Sequence, residues 1–255
     1  MNFFKPKILR YESLPSTNTE AARLAALGAE EGLAVVADEQ TAGRGRLQRT
    51  WASPKGAGLY VSILLRPKMA QERWPLITFV ASLAVSDALL EACELATDIK
   101  WPNDVLASER KICGILAEVI DTPEGRAIVV GIGINVTNQA FPEELASKAI
   151  SVAEATGQQR DRETLLSSLL RGLGRWYVLL LEENGGEKII AEWTARSSYA
   201  EGKVVKVVNL DETLTGVTSG LEADGALRLE TSTGTVSIRA GDVTSLRSHV
   251  AVDGG

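Results

Sequence analysis

A chain of 255 residues has room for one large domain, or a medium domain with a small one, and 45% hydrophobic with 24% charged residues is the balance of a globular protein. A net charge of −6 and a pI of about 5.1 exclude a broad nucleic-acid surface, so any positive charge with a task must be local. A single histidine, His249, all but excludes a Ser-His-Asp triad or a histidine-based metal site. Cys93 and Cys113 lack metal-ligand spacing and sit in apolar runs, where they read as small buried residues. The first residues, Met1–Lys7, lack the apolar stretch of a signal peptide, and no apolar run is read as a membrane span. A cytoplasmic, reducing location follows as the default.

In chain order, Ile8 to Leu14 reads as a strand stopped by Pro15. Thr17 and Glu20 have capping-box spacing ahead of a helical run to Leu27, with Gly28 as its stop. The same Ser16-Thr17-Asn18 stretch, at a helix N-terminus, can hold a polar ligand group. Leu33 to Ala37 is a buried strand that leads into Gly43-Arg44-Gly45-Arg46-Leu47-Gln48-Arg49-Thr50-Trp51. Two glycines and three arginines there make a cationic loop with little apolar material to bury, suited to closing on an anion. Gly58 to Leu65 is another strand, and Pro75 to Cys93 a long, heavily buried helix.

Asp98 to Trp101 reads as a strand end that Pro102 breaks, leaving Asn103 and Asp104 in a loop-like position. Lys100, Asn103 and Asp104 thus gather a base, an amide and a carboxylate, a set that suits phosphate chemistry. A short loop, Leu106 to Arg110, joins this segment to a strand from Lys111 to Val119, so a hairpin should bring Lys111 near Asn103 and Asp104. Gly114 within that strand signals close approach to its backbone. In the next strand, Ala127 to Asn135, Gly131 and Gly133 share one face, leaving room for a flat ligand or a bulky core residue. Arg162 to Glu182 and Lys188 to Ala195 are helical. From Lys203 onward short alternating strands with turns at 209–212, 223–225 and 233–234 indicate a small antiparallel barrel.

Together these motifs resemble the biotin–protein ligase family. Gly43 to Trp51 resembles its GRGRxGRxW loop, Lys100 to Asp104 its KWPND motif, and Lys111 to Leu116 its K-x-x-GIL strand. Ser16-Thr17-Asn18 with Gln40 resembles its biotin contacts, Gly131 to Asn135 its G-x-GIN strand, and Ser245 to Ser248 its C-terminal ending. Gln48 departs from the pattern, standing where a third glycine is usual, which bears on retention of the intermediate. The resemblance implies an α+β fold: a mixed-sheet catalytic domain over 1–198, similar to class II synthetase and lipoate ligase folds, and an SH3-like barrel over 199–255. With few residues before the first strand, it points to the monofunctional class, without a DNA-binding domain.

The activity so implied has two half-reactions. Biotin and ATP, with Mg2+ expected to accompany the nucleotide, give biotinyl-5′-AMP and diphosphate; a lysine of a biotin carboxyl carrier protein then takes the biotinyl group. Lys111, Arg44, Arg46, Lys100 and Asp104 are the implied catalytic set, without a metal site in the protein itself. Ser16, Thr17, Asn18, Gln40, Arg44, Gly45, Arg46, Lys111 and Gly114 would contact biotin, and Arg44, Arg46, Trp51, Asn103, Lys111 and Asn135 the nucleotide. Trp51 and Trp101 would supply apolar wall. Whether Asp104 faces Mg2+, ribose or the acceptor lysine stays open. A lipoate or octanoate ligase and a non-catalytic biotin sensor rank below this reading, and no DNA or membrane partner is expected. Pairing of two subunits along the glycine-rich strand 127–135 is an expectation by analogy.

Overall fold

The computed structural model describes residues 6–137, 141, 143–208 and 213–246. Its elements in order are β1 (Lys7–Leu14), α1 (Thr17–Ala26), β2 (Leu33–Gln40), β3 (Gly58–Leu65), α2 (Leu76–Cys93), β4 (Asp98–Lys100), β5 (Asp104–Ala107), β6 (Arg110–Thr122) and β7 (Gly125–Asn135). There follow α3 (Glu143–Ala146), α4 (Val152–Thr156), α5 (Arg162–Leu181), α6 (Gly185–Ala195), β8 (Glu201–Val208), β9 (Thr213–Leu221), β10 (Leu227–Thr231), β11 (Gly234–Ile238) and β12 (Asp242–Ser245). The turn expected at 209–212, the motif residues past Leu246, and His249 lie outside the described residues.

The first seven strands form one mixed sheet, ordered β1-β2-β3-β7-β6-β5-β4, in which only β1 and β2 run parallel. The period-two pleat divides each central strand between two environments. On one face, Leu59, Val61, Ile63 and Leu65 of β3 and Ile128, Val130, Ile132 and Ile134 of β7 pack into the large core with α2 and α5. On the other, Leu64 of β3 and Ala127 and Val129 of β7 pack under Ala21 and Ala25 of α1. Strands covered on both faces read as continuous apolar runs, and β3 is buried throughout. Each large side chain so buried contributes about 1.5–3 kcal/mol relative to exposure. Where the face under α1 continues past Val129, β7 carries glycines instead, and a cleft opens.

Four expectations need correction here. The segment Gln71–Cys93 is by length and composition apolar enough to cross a membrane, but 72% of its most apolar window is buried, as befits the core helix it forms. The N-cap of α1 is Ser16, not Thr17, and the Ser16 side chain makes no capping hydrogen bond. Glu20 cannot close a capping box because its carboxylate receives Arg23 and Tyr11. The strand at 127–135 is no free edge, since β3 and β6 hydrogen-bond along both its sides, so subunits cannot pair through it. Finally, Asp104 lies in no loop: it opens β5, paired with Lys100 on one side and Gly114 on the other. The hairpin to Lys111 is therefore tighter than expected, turning at Ser108 and Glu109, both with positive φ.

The C-terminal strands form an antiparallel sheet ordered β11-β10-β9-β8-β12. The described pairings do not close it into a barrel. Val205, Val207, Leu227 and Leu229 join the same core as α2. Trp101 Nε1 donates to Gly225 O at 3.0 Å across the junction.

Candidate active site

The floor of the cleft is set by strand register. Tyr60, Gly133 and Gly114 are aligned neighbours across β3, β7 and β6, and Ser62, Gly131 and Leu116 form the next row. A Cβ at Gly131 would collide with Asn18 Oδ1, and one at Gly133 would come within 2.5 Å of Trp51 Nε1. The two glycines thus admit one side chain each, Asn18 and Trp51, rather than leaving a bare surface. Gly114 lies under Trp51 and beside Lys111 Nζ for the same reason. Among the described residues, Trp51 Nε1 is buried without a hydrogen-bond partner.

Beside this floor stands a buried polar network. Gln40 Oε1 accepts from the Thr17 backbone N–H at 2.8 Å and from its hydroxyl at 3.1 Å, while Gln40 Nε2 donates to Ser53 Oγ at 2.8 Å. Ser62 Oγ lies 2.6 Å from Asn18 Oδ1 and 2.7 Å from Thr17 Oγ1. Asn18 Nδ2 donates to Glu118 Oε2 at 2.6 Å and to Leu116 O at 3.2 Å. Both amide hydrogens of Asn18 are spent and its oxygen is engaged, so it fixes the wall of the site. The buried Ser16 does not use its hydroxyl to cap α1.

The loop 43–51 folds as a small hairpin, with Gly45 N–H bonded to Arg49 O at 2.7 Å and Trp51 N–H to Gly43 O at 2.9 Å. Leu47 and Gln48 take left-handed conformations at its tip, φ 53° and 58°. Protein groups share in docking it. Arg44 pairs with Glu118 at 2.8 Å, Arg46 Nη1 donates to Asn103 Oδ1 at 3.1 Å and Gly241 O at 3.3 Å, and Arg49 pairs with Asp242. The loop is therefore ordered by contacts within the protein as well as being suited to closing on an anion.

The cationic groups converge on the same cleft. Lys111 Nζ lies 2.6 Å from Asp104 Oδ1 and 5.3 Å from the Trp51 ring centroid. Lys100 sits 5.4 Å from the Tyr199 ring centroid. Burial lowers the Lys100 pKa, partly offset by the nearby Asp104 charge; burial likewise depresses Arg46, which Asp242 and Asp104 counter. Asn103 gives its Nδ2 to Ile115 O, and Asn135 gives its Nδ2 to Lys111 O and Ile150 O. Asn135 thus ties the segment after α3 to β6. Gly45 lines the cleft with these groups, in a volume of about 660 Å³. Among the described residues no group of three or more His, Cys, Asp or Glu could hold a metal.

Every predicted site residue therefore borders one cleft. Sequence reasoning missed Ser53, Ser62, Glu118, Tyr199 and Asp242. Ser62 could have been found as the one aliphatic hydroxyl in an apolar strand, and Glu118 from its even spacing to Gly114. Asp242 comes from a distant sheet and carries no such signal.

A hydrogen-bonding wall and a group of cations around one glycine-floored cleft define a site that takes a polar head group with an anionic partner. Residues 11–135 match the Biotin/lipoate A/B protein ligase family, and residues 202–244 match the Biotin protein ligase C terminal domain. The chain is similar to the bifunctional ligase/repressor BirA of Bacillus subtilis, 37% identical over 241 residues, covering 92% of this chain and 73% of the relative. It is 36% identical to the biotin–[acetyl-CoA-carboxylase] ligase of Paracoccus denitrificans over 236 residues, covering 89% and 96%. The structure of the Aquifex aeolicus biotin protein ligase in complex with biotin and ATP superposes with a TM-score of 0.82 at 33% identity, covering 95% and 99%. The chain belongs to the biotin/lipoate protein ligase family, on the biotin side of it.

Proposed function

We propose that the protein is an ATP-dependent ligase that activates biotin as biotinyl-5′-AMP and transfers the biotinyl group to a lysine of a biotin carboxyl carrier protein. In the first step the biotin carboxylate attacks the α-phosphate of ATP, a C–O–P anhydride bond forms, and diphosphate leaves. In the second, the carrier lysine amine attacks the acyl carbon, an amide forms, and AMP leaves. The observation that carries this reading is the convergence of Lys111, Arg44, Arg46 and Lys100 on one cleft with a glycine floor, which the Thr17–Gln40–Ser53 and Ser62–Asn18 network also borders.

Two anions must meet in the first step, and fixed cations offset their repulsion as charge gathers in the transition state. Lys111, aimed by Asp104, stands at the carboxylate–phosphate junction. Arg44 and Arg46 clamp from the loop, Asn103 orienting the latter, and Lys100 adds charge from the last position of β4. Ser16, Thr17 and Gln40 face the ureido ring, and Asn18 fixes them; Gly45 and Gly114 let the backbone come close. Trp51 covers the site, and Asn135 offers its amide oxygen to the nucleotide. Magnesium would enter with the phosphates as part of the substrate; Asp104 and Asp242 are carboxylates that line the cleft. Excluding water protects the hydrolysable adenylate. The catalytic unit is assigned to 1–198 and an SH3-like unit to 199–255, a division limited proteolysis between α6 and β8 tests. No DNA partner is proposed for a chain of net charge −6.

Intact mass measurement of an apo biotin carrier domain, incubated with the protein, Mg·ATP and biotin, tests the reading. A biotin-sized adduct on one lysine is expected. An adduct only with lipoate or octanoate moves the protein to the sister ligases; tight biotin binding without any adduct makes it a sensor.

A further inference from the structure

We propose that Glu118 is a positioning residue that joins the head-group wall to the arginine loop through one carboxylate oxygen, an inference that rests on the ligase reading. Glu118 stands on β6 on the face of Gly114 and Leu116, at the end of the cleft floor. Its Oε2 accepts from both Asn18 Nδ2, at 2.6 Å, and Arg44 Nη2, at 2.8 Å.

The two partners differ in freedom. Asn18 is buried, its amide saturated by Ser62, Leu116 O and Glu118, and it is seated over Gly131 where no Cβ would fit. It cannot turn without breaking bonds in a buried network, and each orphaned group there is costly. Arg44 is 48% exposed, and Glu118 is the carboxylate that receives its guanidinium. The direction of Arg44 is therefore inherited from Asn18 through Glu118. A guanidinium has five donors in a planar fork, so the edge not given to Glu118 stays available for a substrate carboxylate or phosphate. Anchoring one edge sets where the other points, and fixes this base of the loop.

Glu118→Gln tests the link, because it keeps the volume and an acceptor for Asn18 but removes the charge that holds Arg44. For a part-exposed pair the expected effect is a rise of about two- to fivefold in the KM for biotin and a comparable shortening of adenylate lifetime. The thermal midpoint should not move, which separates this role from a structural one, and kcat at saturating biotin should fall by no more than about the same two- to fivefold, because Arg44 stands among the cations of the reacting site. Glu118→Asp, which keeps the charge on a shorter stem, should recover part of the loss. In an Arg44→Ala background Glu118→Gln should add nothing, since the path runs through Arg44. Wild-type KM and lifetime for Glu118→Gln, or effects that multiply in the double variant, overturn the proposal. Wild-type protein that leaves the carrier mass unchanged overturns the ligase reading instead; biotin affinity of the same variants by calorimetry then still decides the Glu118 link, with the same expected and overturning patterns.

Discussion

Lys100 is the residue at which charge, burial and pH meet. Its folded-state pKa is lowered, chiefly by burial, below the ordinary lysine value of about 10.4. Between the lowered and the ordinary value the unfolded chain binds more protons than the folded one, so this group makes stability rise with pH across that window. Its part in catalysis runs the other way, because the charge is lost as pH climbs through the lowered value. The alkaline limb of kcat/KM should therefore fall before ordinary lysine titration, with no parallel fall in thermal midpoint from this group. Lys100→Arg, which stays charged, should move that limb upward in whatever activity it keeps. Lys111 offers a sharper loss: removing a fixed cation from the point where charge develops costs on the order of 10²–10³ in rate. Lys111→Ala should lose diphosphate release by that scale while biotin still binds, and diphosphate release at the wild-type rate would remove Lys111 from its assigned position. Gln48 tests the loop's shape. Its φ of 58° is open to Gln at modest cost but closed to proline, whose ring fixes φ near −65°. Gln48→Pro should raise the KM for biotin at least about tenfold, taking the several kcal/mol of an incompatible proline, and leave the midpoint of the exposed loop's scaffold unchanged.

At the scale of elements, the glycines of β7 show what the sequence made legible and what it left hidden. The alternation that put Gly131 and Gly133 on one face was readable, and so were the apolar runs of β2, β3, β7 and α2, because burial on both sides leaves a continuous signal. What fills the glycine notches was not readable, since Asn18 and Trp51 arrive from distant segments. The capping-box spacing at Thr17 and Glu20 misled because local spacing cannot report that Thr17 is drawn to Gln40 and Glu20 to Arg23. The short β12 escaped because Val243 is its one buried residue. The two notches predict different outcomes. Gly131→Ala drives a methyl into Asn18, which a saturated network pins, so the strain falls on the fold: about 1–3 kcal/mol of overpacking, visible as a lower thermal midpoint together with weaker biotin binding. Gly133→Ala meets Trp51, which belongs to the loop and can be displaced with it. Its thermal midpoint should stay near wild type while adenylate lifetime shortens. Equal midpoint losses in the two variants would contradict the assignment of Asn18 to the scaffold and Trp51 to the loop.

For the whole molecule, the question is why a catalytic sheet should carry a second sheet at all. The contacts answer it: Gly241 O receives Arg46, Asp242 receives Arg49, and Val243, Thr244 and Ser245 line the cleft. The C-terminal sheet is a wall of the site, seated by Trp101 on Gly225 and by Phe79 against the same glycine. The arginine loop is therefore held from two sides, by Glu118 on β6 and by Asp242 on β12. The two ion pairs are not equivalent. Arg49 is 67% exposed, so its pair with Asp242 is screened by salt and worth at most about 1 kcal/mol by itself. Asp242 also lends its charge to the half-buried Arg46, where water screens less. Asp242→Asn should hence cost more than Arg49→Ala. Arg49→Ala should change adenylate lifetime by less than about fivefold, and an effect of that size should fade in 1 M salt. Asp242→Asn should shorten the lifetime further and keep most of its effect in salt, because the desolvated Arg46 loses a countercharge that bulk ions cannot replace. If both variants behaved alike and both effects vanished in salt, the second sheet would hold the loop only by a surface pair, and its place at the cleft would have to be explained by the acceptor protein instead.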